Sequence, residues 1–291
     1  MVAGAASRDL ARDDPRGWRL GGSATYCSLA AARLGLRVGC VLGVDAPAAA
    51  AHELSLLEAA GVEVRPFALD RGPVFENIEA GGHRRQRWLS RSDGVPAAAL
   101  PDEWRGATGW LFVPVAGELG ADWGAVAAGR GGGGEDSQRI GVGWQGLLRD
   151  FGDDGWVKVV EARSSPLLTG AGLVVVSVDD LGGEAAIEQL PRFAPNAAIV
   201  LTAGEEGGVA LRDGKPSWYQ AAPAPGVVDP TGAGDVFLSA LMVAWLLTGE
   251  LATAGALRFG AAAASCAVEG VGLAGVPTRD HVEARLRSLA G

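Results

Sequence analysis

The sequence predicts an α/β fold: a three-layer α/β/α sandwich with a mainly parallel sheet and a small β-sheet lid. Two observations support the sandwich. Short, uniformly apolar runs are typical of strands buried on both faces, and Ala- and Leu-rich stretches of helical character follow several of them. The third observation, period-2 alternation with turn signals in two other regions, predicts the smaller sheet.

The expected buried strands lie at residues 38–44, 109–115, 173–178 and 198–202. The expected helices lie at 24–34, 46–60, 233–247, 252–268 and 279–289. Gly35 and Gly61 follow the first two helices, at the position where a glycine in the left-handed conformation ends a helix.

Residues 10–20 and about 62–92 carry the alternating pattern, with turn signals at Asp70-Arg71-Gly72 and Gly81-Gly82. We expect these two regions to form the lid of a single domain over residues 1–291. The glycine run at 129–134 predicts a flexible surface loop, because ordering so many glycines is entropically costly.

Composition excludes several classes of function. Hydrophobic residues make up 48% and charged residues 20% of the chain, as expected of a globular enzyme rather than a disordered chain. A net charge of −9 argues against nucleic-acid binding, which requires a basic surface. The three cysteines are far apart, and no segment predicts a signal peptide or membrane span. We expect a cytoplasmic protein with a small-molecule partner and neither nucleic acid nor membrane.

The run Asp229-Pro-Thr-Gly-Ala-Gly-Asp235 predicts an anion site. Pro230 and Gly232 mark a tight turn, and Gly234 and Asp235 fall in the first turn of an apolar helix. The first N–H groups of a helix have no partner within it, and small residues let an anion approach them closely.

Asp235 itself has two interpretations. It could merely complement the helix dipole, which is worth about 0.3–1 kcal/mol. It could also accept a proton from a hydroxyl that attacks a phosphoryl group bound at the neighbouring amides. The short Gly-Ala-Gly-Asp run does not decide between them.

The longer run resembles the C-terminal signature of the ribokinase-like (PfkB) carbohydrate kinase family. The resemblance implies that the Gly232, Ala233 and Gly234 amides form an anion hole and that Asp235 deprotonates the acceptor hydroxyl. The pair Gly21-Gly22, before a helix that ends in Leu-Gly, is similar to the N-terminal signature of that family.

The same resemblance implies where the two substrates bind. Asp9 resembles the substrate-binding aspartate after the opening strand, so the acceptor is expected between Asp9, Gly21, Gly22 and the lid, with Asn77 facing it or exposed to solvent. ATP and Mg²⁺ are expected across the C-terminal half. The residues implied there are Ser177, Thr202, Gly204, Gly207 and Thr231 for the nucleotide and Asp180 for the metal, with a monovalent cation such as K⁺ near residues 263–272.

Three positions depart from the family pattern. Tyr26 stands where the family usually has an asparagine that contacts the sugar, and Ser177 and Asp180 replace the Asn and Glu of an Asn-x-x-Glu motif. These departures leave a non-catalytic sugar or nucleotide sensor as one alternative. A kinase of a vitamin precursor, of the pyridoxal or hydroxymethylpyrimidine type, is another, although such relatives usually lack the hairpin lid.

Other motifs fail for lack of context. The Gly-x-Gly-x-x-Gly match at 270–275 follows a helix and runs into Pro277, so it fails as a dinucleotide site, and the match at 141–146 is expected by chance in a chain with 45 glycines. No P-loop motif is present, and the three histidines lack the spacing of zinc ligands. The arginines at 84, 85, 87 and 91 fit a solvated strand face better than a pocket for a phosphorylated acceptor.

The sequence therefore predicts an ATP-dependent kinase that phosphorylates a hydroxyl of a small sugar, nucleoside or polyol. An exposed lid sheet also predicts pairing of two lids in a homodimer.

Overall fold

A long, mostly parallel sheet forms the centre of the computed structural model, which describes residues 1–80, 83–129, 139–181 and 184–289. The described strands are β1 (Val2–Ala5), β2 (Ser7–Leu10), β3 (Trp18–Gly21), β4 (Gly39–Val44), β5 (Glu63–Ala68), β6 (Val74–Ala80), β7 (His83–Ser90), β8 (Gly109–Phe112), β9 (Arg139–Gly143), β10 (Arg149–Phe151), β11 (Val157–Val159), β12 (Leu173–Ser177), β13 (Ala198–Thr202), β14 (Gly208–Arg212) and β15 (Lys215–Tyr219).

Nine of these strands pair in the order β15-β14-β13-β12-β9-β8-β1-β4-β5. The pairs from β13 to β5 are parallel, and the β14–β15 hairpin adds two antiparallel strands at one edge. The carboxyl ends of the parallel strands therefore meet along one side of the sheet, which is where open α/β sheets bind ligands.

The described helices are α1 (Ser23–Arg33), α2 (Ala46–Ala49), α3 (Leu54–Ala59), α4 (Ala121–Ala128), α5 (Glu184–Phe193), α6 (Ala233–Thr248), α7 (Ala254–Ala267) and α8 (Arg279–Ser288). Side chains from α1, α6 and α7 share one buried cluster with sheet residues such as Leu111 and Val113. Their neighbours Trp110 and Phe112 point to the opposite face, into a cluster that includes α4 and α5. The predicted three-layer α/β/α fold is confirmed.

The expected helix at 46–60 is wrong in one respect, because it is two short helices. The chain bends between α2 and α3 at residues 50–53, and the Glu53 carboxylate turns inward to accept hydrogen bonds from the Arg16 guanidinium and, at 3.2 Å, the Leu20 N–H. The glycine predictions are confirmed: Gly35 and Gly61 follow their helices with φ of 108° and 80°.

The smaller sheet has four strands in the order β3-β2-β6-β7. The expected lid range began too early, because β5 pairs in parallel with β4 in the main sheet. The sheet to which a strand belongs is decided by the strands with which it forms hydrogen bonds, and an alternating sequence pattern does not identify those strands. Gly81, Gly82 and residues 130–134 of the expected glycine loop lie outside the described residues.

In the part of the chain that the structure describes, no helix combines the length and the apolar character needed to cross a membrane.

Candidate active site

The site begins at the turn before α6. Gly232 caps this helix with φ of 80°, a left-handed conformation that favours glycine. A Cβ atom added there would lie 2.3 Å from Cδ1 of Tyr26, so the Tyr26 ring occupies the space beside the turn. The position that departs from the family pattern thus packs against the predicted anion hole. Both the backbone conformation and this contact require glycine.

Asp229 fixes the same turn from its other end. Its carboxylate accepts hydrogen bonds from the Thr231 N–H at 2.9 Å and from the Gly272 N–H at 3.0 Å. The Val228 and Asp229 N–H groups donate to the carbonyl of Val268, which follows α7. The predicted anion site is therefore joined to the region 263–272, whose predicted role in nucleotide and cation binding stays a prediction.

The Asp235 side chain lies at the meeting point of two helix N-termini. It sits in the first turn of α6, and its carboxylate accepts a hydrogen bond from the Ser23 side chain, which opens α1. Burial raises the pKa of Asp235 to about 6, against the lowering effect of the Ser23 hydrogen bond and of the positive charge on Arg149. The carboxylates of Asp180 and Asp9 raise it further. A carboxylate with this pKa is a suitable proton acceptor near neutral pH.

Most of the residues predicted to bind the acceptor lie on β2 and at the start of α1, and this part of the site is called the acceptor side. The Ser7 hydroxyl donates to Asp9 Oδ1 at 2.9 Å, and an added Cβ at Gly21 would lie 2.2 Å from Asp9 Oδ2. Gly22 has φ of 98° and leaves no room for a side chain, since its Cβ would lie 2.5 Å from the Ala5 carbonyl oxygen. The two glycines therefore let the chain turn from β3 into α1 directly beside Asp9.

One face of the four-stranded lid sheet extends the surface that begins at Asp9. Asp9 is the cross-strand partner of Phe75, so their side chains share a face, and Asn77 lies two residues further along β6 on the same face. The partner of Asn77 on β7 is Gln86, whose Nε2 donates to Asn77 Oδ1 at 2.9 Å. Asp9, Asn77 and Gln86 thus give this face a polar row beside the Phe75 ring.

Most of the residues predicted to bind the nucleotide lie at the ends of β12 and β13, and this part of the site is called the donor side. Register pairs Ser177 with Thr202, so these two predicted residues are neighbours at the strand ends. Gly204 and Gly207 have φ of 54° and 89° in the connection that follows. At Gly207 an added Cβ would lie 2.2 Å from the Tyr219 carbonyl oxygen, so this glycine lets β14 and β15 close tightly.

The Asp180 carboxylate is buried and already accepts hydrogen bonds from two other side chains. It is 8% exposed, and its carboxylate accepts hydrogen bonds from Arg149 Nη2 at 3.2 Å and from Gln145 Nε2 at 3.3 Å. Among the described residues no group of three or more His, Cys, Asp or Glu side chains could hold a metal ion. The residues present do not fit a Mg²⁺ ion held by the protein alone, and the metal role of Asp180 stays a prediction.

Sequence reasoning missed Arg149, Ser23 and Glu118. The buried Glu118 carboxylate accepts hydrogen bonds from the N–H groups of Ala5, Val115 and Ala116, at 2.8 to 3.1 Å, and so joins the ends of β1 and β8 below the lid. Burial raises the pKa of this carboxyl group. The signal for Glu118 in the sequence was an acidic residue within an apolar stretch directly after a strand; Arg149 had no comparable signal.

Comparisons with known proteins agree with this geometry. Residues 176–279 match the model of the pfkB family of carbohydrate kinases. No curated protein sequence matches the chain.

Solved structures resemble the chain along nearly its whole length. A pyrophosphate-dependent kinase in the ribokinase family, complexed with a pyrophosphate analog and myo-inositol, is 19% identical, with 98% of this chain and 100% of that chain covered and a TM-score of 0.76. Arabidopsis thaliana ribokinase complexed with ribose and ATP is 18% identical, with 98% of each chain covered and a TM-score of 0.69. Giardia lamblia ribokinase is 17% identical, with 99% and 98% covered and a TM-score of 0.73.

The comparisons show a ribokinase-like fold over the whole length of the chain, and residues 176–279 match the pfkB family model. The predicted ribokinase-like fold is confirmed, and the match of residues 176–279 agrees with the predicted family and enzyme class.

Proposed function

We propose that the protein transfers the terminal phosphoryl group of ATP to a hydroxyl of a small sugar, nucleoside or polyol, with Asp235 as the general base. The observation that carries this proposal is the place of Asp235 in the first turn of α6, where its carboxylate accepts a hydrogen bond from Ser23 and burial raises its pKa to about 6. The charges of Asp9, Asp180 and Arg149 all act on this carboxylate.

The acceptor binds against the polar lid face of Asp9 and Asn77, with one hydroxyl directed at Asp235. Asp235 takes the proton as that oxygen forms its bond to phosphorus, and the bond from phosphorus to the leaving ADP oxygen breaks. The Gly232, Ala233 and Gly234 amides stabilise the charge on the transferring group, because the α6 N-terminus presents N–H groups without helical partners. The lid excludes water, which would otherwise accept the phosphoryl group.

Mg²⁺ enters the proposal as the counterion of ATP, since the described residues do not form a cage for it. Thr231, Ser177, Thr202, Gly204 and Gly207 are proposed to border the nucleotide. The pyrophosphate analog in the first comparison structure makes pyrophosphate a second donor to test beside ATP. The four-stranded lid favours a sugar or polyol acceptor over a vitamin precursor.

The test is a panel of acceptors, including ribose, fructose derivatives, nucleosides and myo-inositol, each with ATP and with pyrophosphate. Product is followed by phosphorus NMR for the wild type and for Asp235→Asn. We expect Asp235→Asn to lower turnover by at least about 10²-fold while donor binding persists. Near-normal turnover of this variant would reject Asp235 as the base. Tight ligand binding without any transfer would instead favour the sensor.

A further inference from the structure

Arg149 is a positive charge placed within a group of carboxylates. It opens β10, its side chain is 12% exposed, and its guanidinium is 3.2 Å from Asp180 Oδ1. Its charge also acts on the Asp235 carboxylate. Asp180 lies three residues after Ser177, which pairs with Thr202 at the strand ends, so Arg149 lies beside the residues proposed to border the donor.

The hairpin that begins with Arg149 is attached to the lid. The Trp88 indole N–H donates to the Gly152 carbonyl at 3.0 Å, and the Trp88 backbone N–H donates to the Gly155 carbonyl at 3.0 Å. Phe151 packs against Phe75 and Trp88, with ring centroids 6.3 and 6.1 Å apart. The β10–β11 hairpin is thus bound to the outer lid strand β7, while its first residue reaches the donor side.

We infer that Arg149 is a phosphate-binding residue of the donor site, and that its pairing with Asp180 is exchanged for a pairing with the phosphoryl donor. This inference rests on the proposed function and deepens it. It also gives the β10–β11 hairpin the role of linking the lid to the donor side. Because β7 contacts the hairpin, the position of the lid affects the position of the Arg149 guanidinium.

Charge balance supports the inference. Arg149 is the cation that acts on Asp235, whereas the carboxylates of Asp180 and Asp9 both act on it with the opposite sign. A polyphosphate would meet strong repulsion there unless a cation could turn towards it. Arginine suits this role, because its planar guanidinium donates two parallel hydrogen bonds to phosphate oxygens and keeps its charge at all working pH values.

The competing explanation is purely structural: Arg149 would only neutralise the buried Asp180. A double-mutant cycle separates the two, since it measures what Arg149 does once Asp180 has lost its charge. We compare Arg149→Met, Asp180→Asn and the double variant with the wild type. The readouts are turnover and, without any acceptor, the binding of ATP and of inorganic pyrophosphate by calorimetry.

If Arg149 binds the donor, Arg149→Met lowers turnover by about 10²-fold, and the same substitution in the Asp180→Asn background still lowers it by at least about 10-fold. Donor affinity falls by at least about tenfold in both backgrounds, and Arg149→Lys recovers part of it. If turnover and donor affinity are unchanged by Arg149→Met in the Asp180→Asn background, the inference is wrong.

The pH profile gives a second readout, which tests whether the Arg149 charge acts on the Asp235 carboxylate. The groups that face Asp235 are Ser23, Cys27, Arg149, Asp180 and Asp9, and burial keeps the pKa of the Cys27 thiol well above its usual range. Loss of the Arg149 charge removes an influence that lowers the pKa of Asp235, so the acidic limb of the turnover profile should move to higher pH. Arg149→Lys should leave it near its original place, and an unmoved limb in Arg149→Met would contradict the placement of Arg149 beside the base on which the inference depends.

Lys158→Met is the matched control. Lys158 lies on the same hairpin, is exposed and pairs with Asp154 at 2.9 Å, away from the donor side. It should keep wild-type turnover and donor affinity, and thermal unfolding confirms that each variant is folded. Wild-type activity that is lost in Asp235→Asn establishes the proposed function independently. A failure of the Arg149 prediction is then distinguishable from a failure of the function, and the binding measurement needs no acceptor.

Discussion

The proposed transfer end of the site and the proposed acceptor side are built in different ways. At the transfer end, one continuous segment from Asp229 to Asp235 supplies the turn, the helix N-terminus and the proposed base, and the Tyr26 ring packs against Gly232 of this segment. The acceptor side is assembled from the separate strands β2, β6 and β7, and its polar row arises only when their register places Asp9, Asn77 and Gln86 on one face.

This difference predicts how each side responds to change. A side-chain atom added to the turn is expected to move all the amides of the proposed anion hole together, because the turn continues directly into the helix. A change on the lid removes one contact among several, because each strand contributes its side chain independently. Substitutions at the turn should therefore act on turnover, and substitutions on the lid should act on acceptor affinity.

Gly232→Ala should have the largest effect. An added methyl would lie 2.3 Å from the Tyr26 ring in a left-handed backbone conformation, so the turn must shift. We expect turnover to fall by at least about 10²-fold, as when a donor to developing charge is lost. Steady-state kinetics measures it.

Gly249→Ala is the control for backbone strain alone. Gly249 ends the same helix with φ of 77°, and nothing lies within 4 Å of an added Cβ. It should lower the free energy of unfolding by about 1 kcal/mol while turnover is retained. Equal losses of turnover in both variants would show that the Tyr26 contact is unimportant.

Glu118→Ala should destabilise the base of the lid. Its buried carboxylate accepts hydrogen bonds from three N–H groups at the ends of β1 and β8. Leaving these donors without partners should lower the free energy of unfolding by about 2–3 kcal/mol. Denaturant unfolding measures the change. Glu118→Gln keeps one acceptor oxygen and should lose less; equal losses would contradict this explanation.

Asn77→Ala should have the smallest effect and should act on the acceptor. Removing one hydrogen-bonding group from the lid should raise the acceptor KM by about 3–10-fold and change the donor KM little. Glu76→Gln is the matched control, because Glu76 is the neighbouring residue on β6 and points to the opposite face. A larger effect of Glu76→Gln than of Asn77→Ala on the acceptor KM would reverse the proposed orientation of the lid.

The contrast also explains what could be predicted from the sequence. The α/β/α fold, the glycine C-caps and the Asp229–Asp235 turn were predictable, because each depends on local periodicity or on residues adjacent in the chain. The β14–β15 hairpin was predictable only at its turn, where Asp213 and Gly214 have φ of 51° and 73°. Locally encoded features are therefore the ones that single-sequence reasoning finds.

Arg149, Glu118 and the place of β5 could not be predicted in the same way. Each depends on contacts between distant segments: Arg149 with Asp180, Glu118 with Ala5, and β5 with β4. The predicted pairing of two lids stays a prediction, and the hairpin contacts with Trp88 cover part of the outer edge of β7. Pairing through that edge would have to accommodate the hairpin.

The pH dependence of turnover tests the role of Asp235 most directly. Because burial raises the pKa of Asp235 to about 6 and the base must be ionised, turnover of the wild type should rise with pH through about 6 and level off above it. The residual activity of Asp235→Asn should lack this rise, while any limb caused by ionisation of the donor phosphate appears in both proteins. An identical acidic limb in the two proteins would contradict the assignment of Asp235 as the general base.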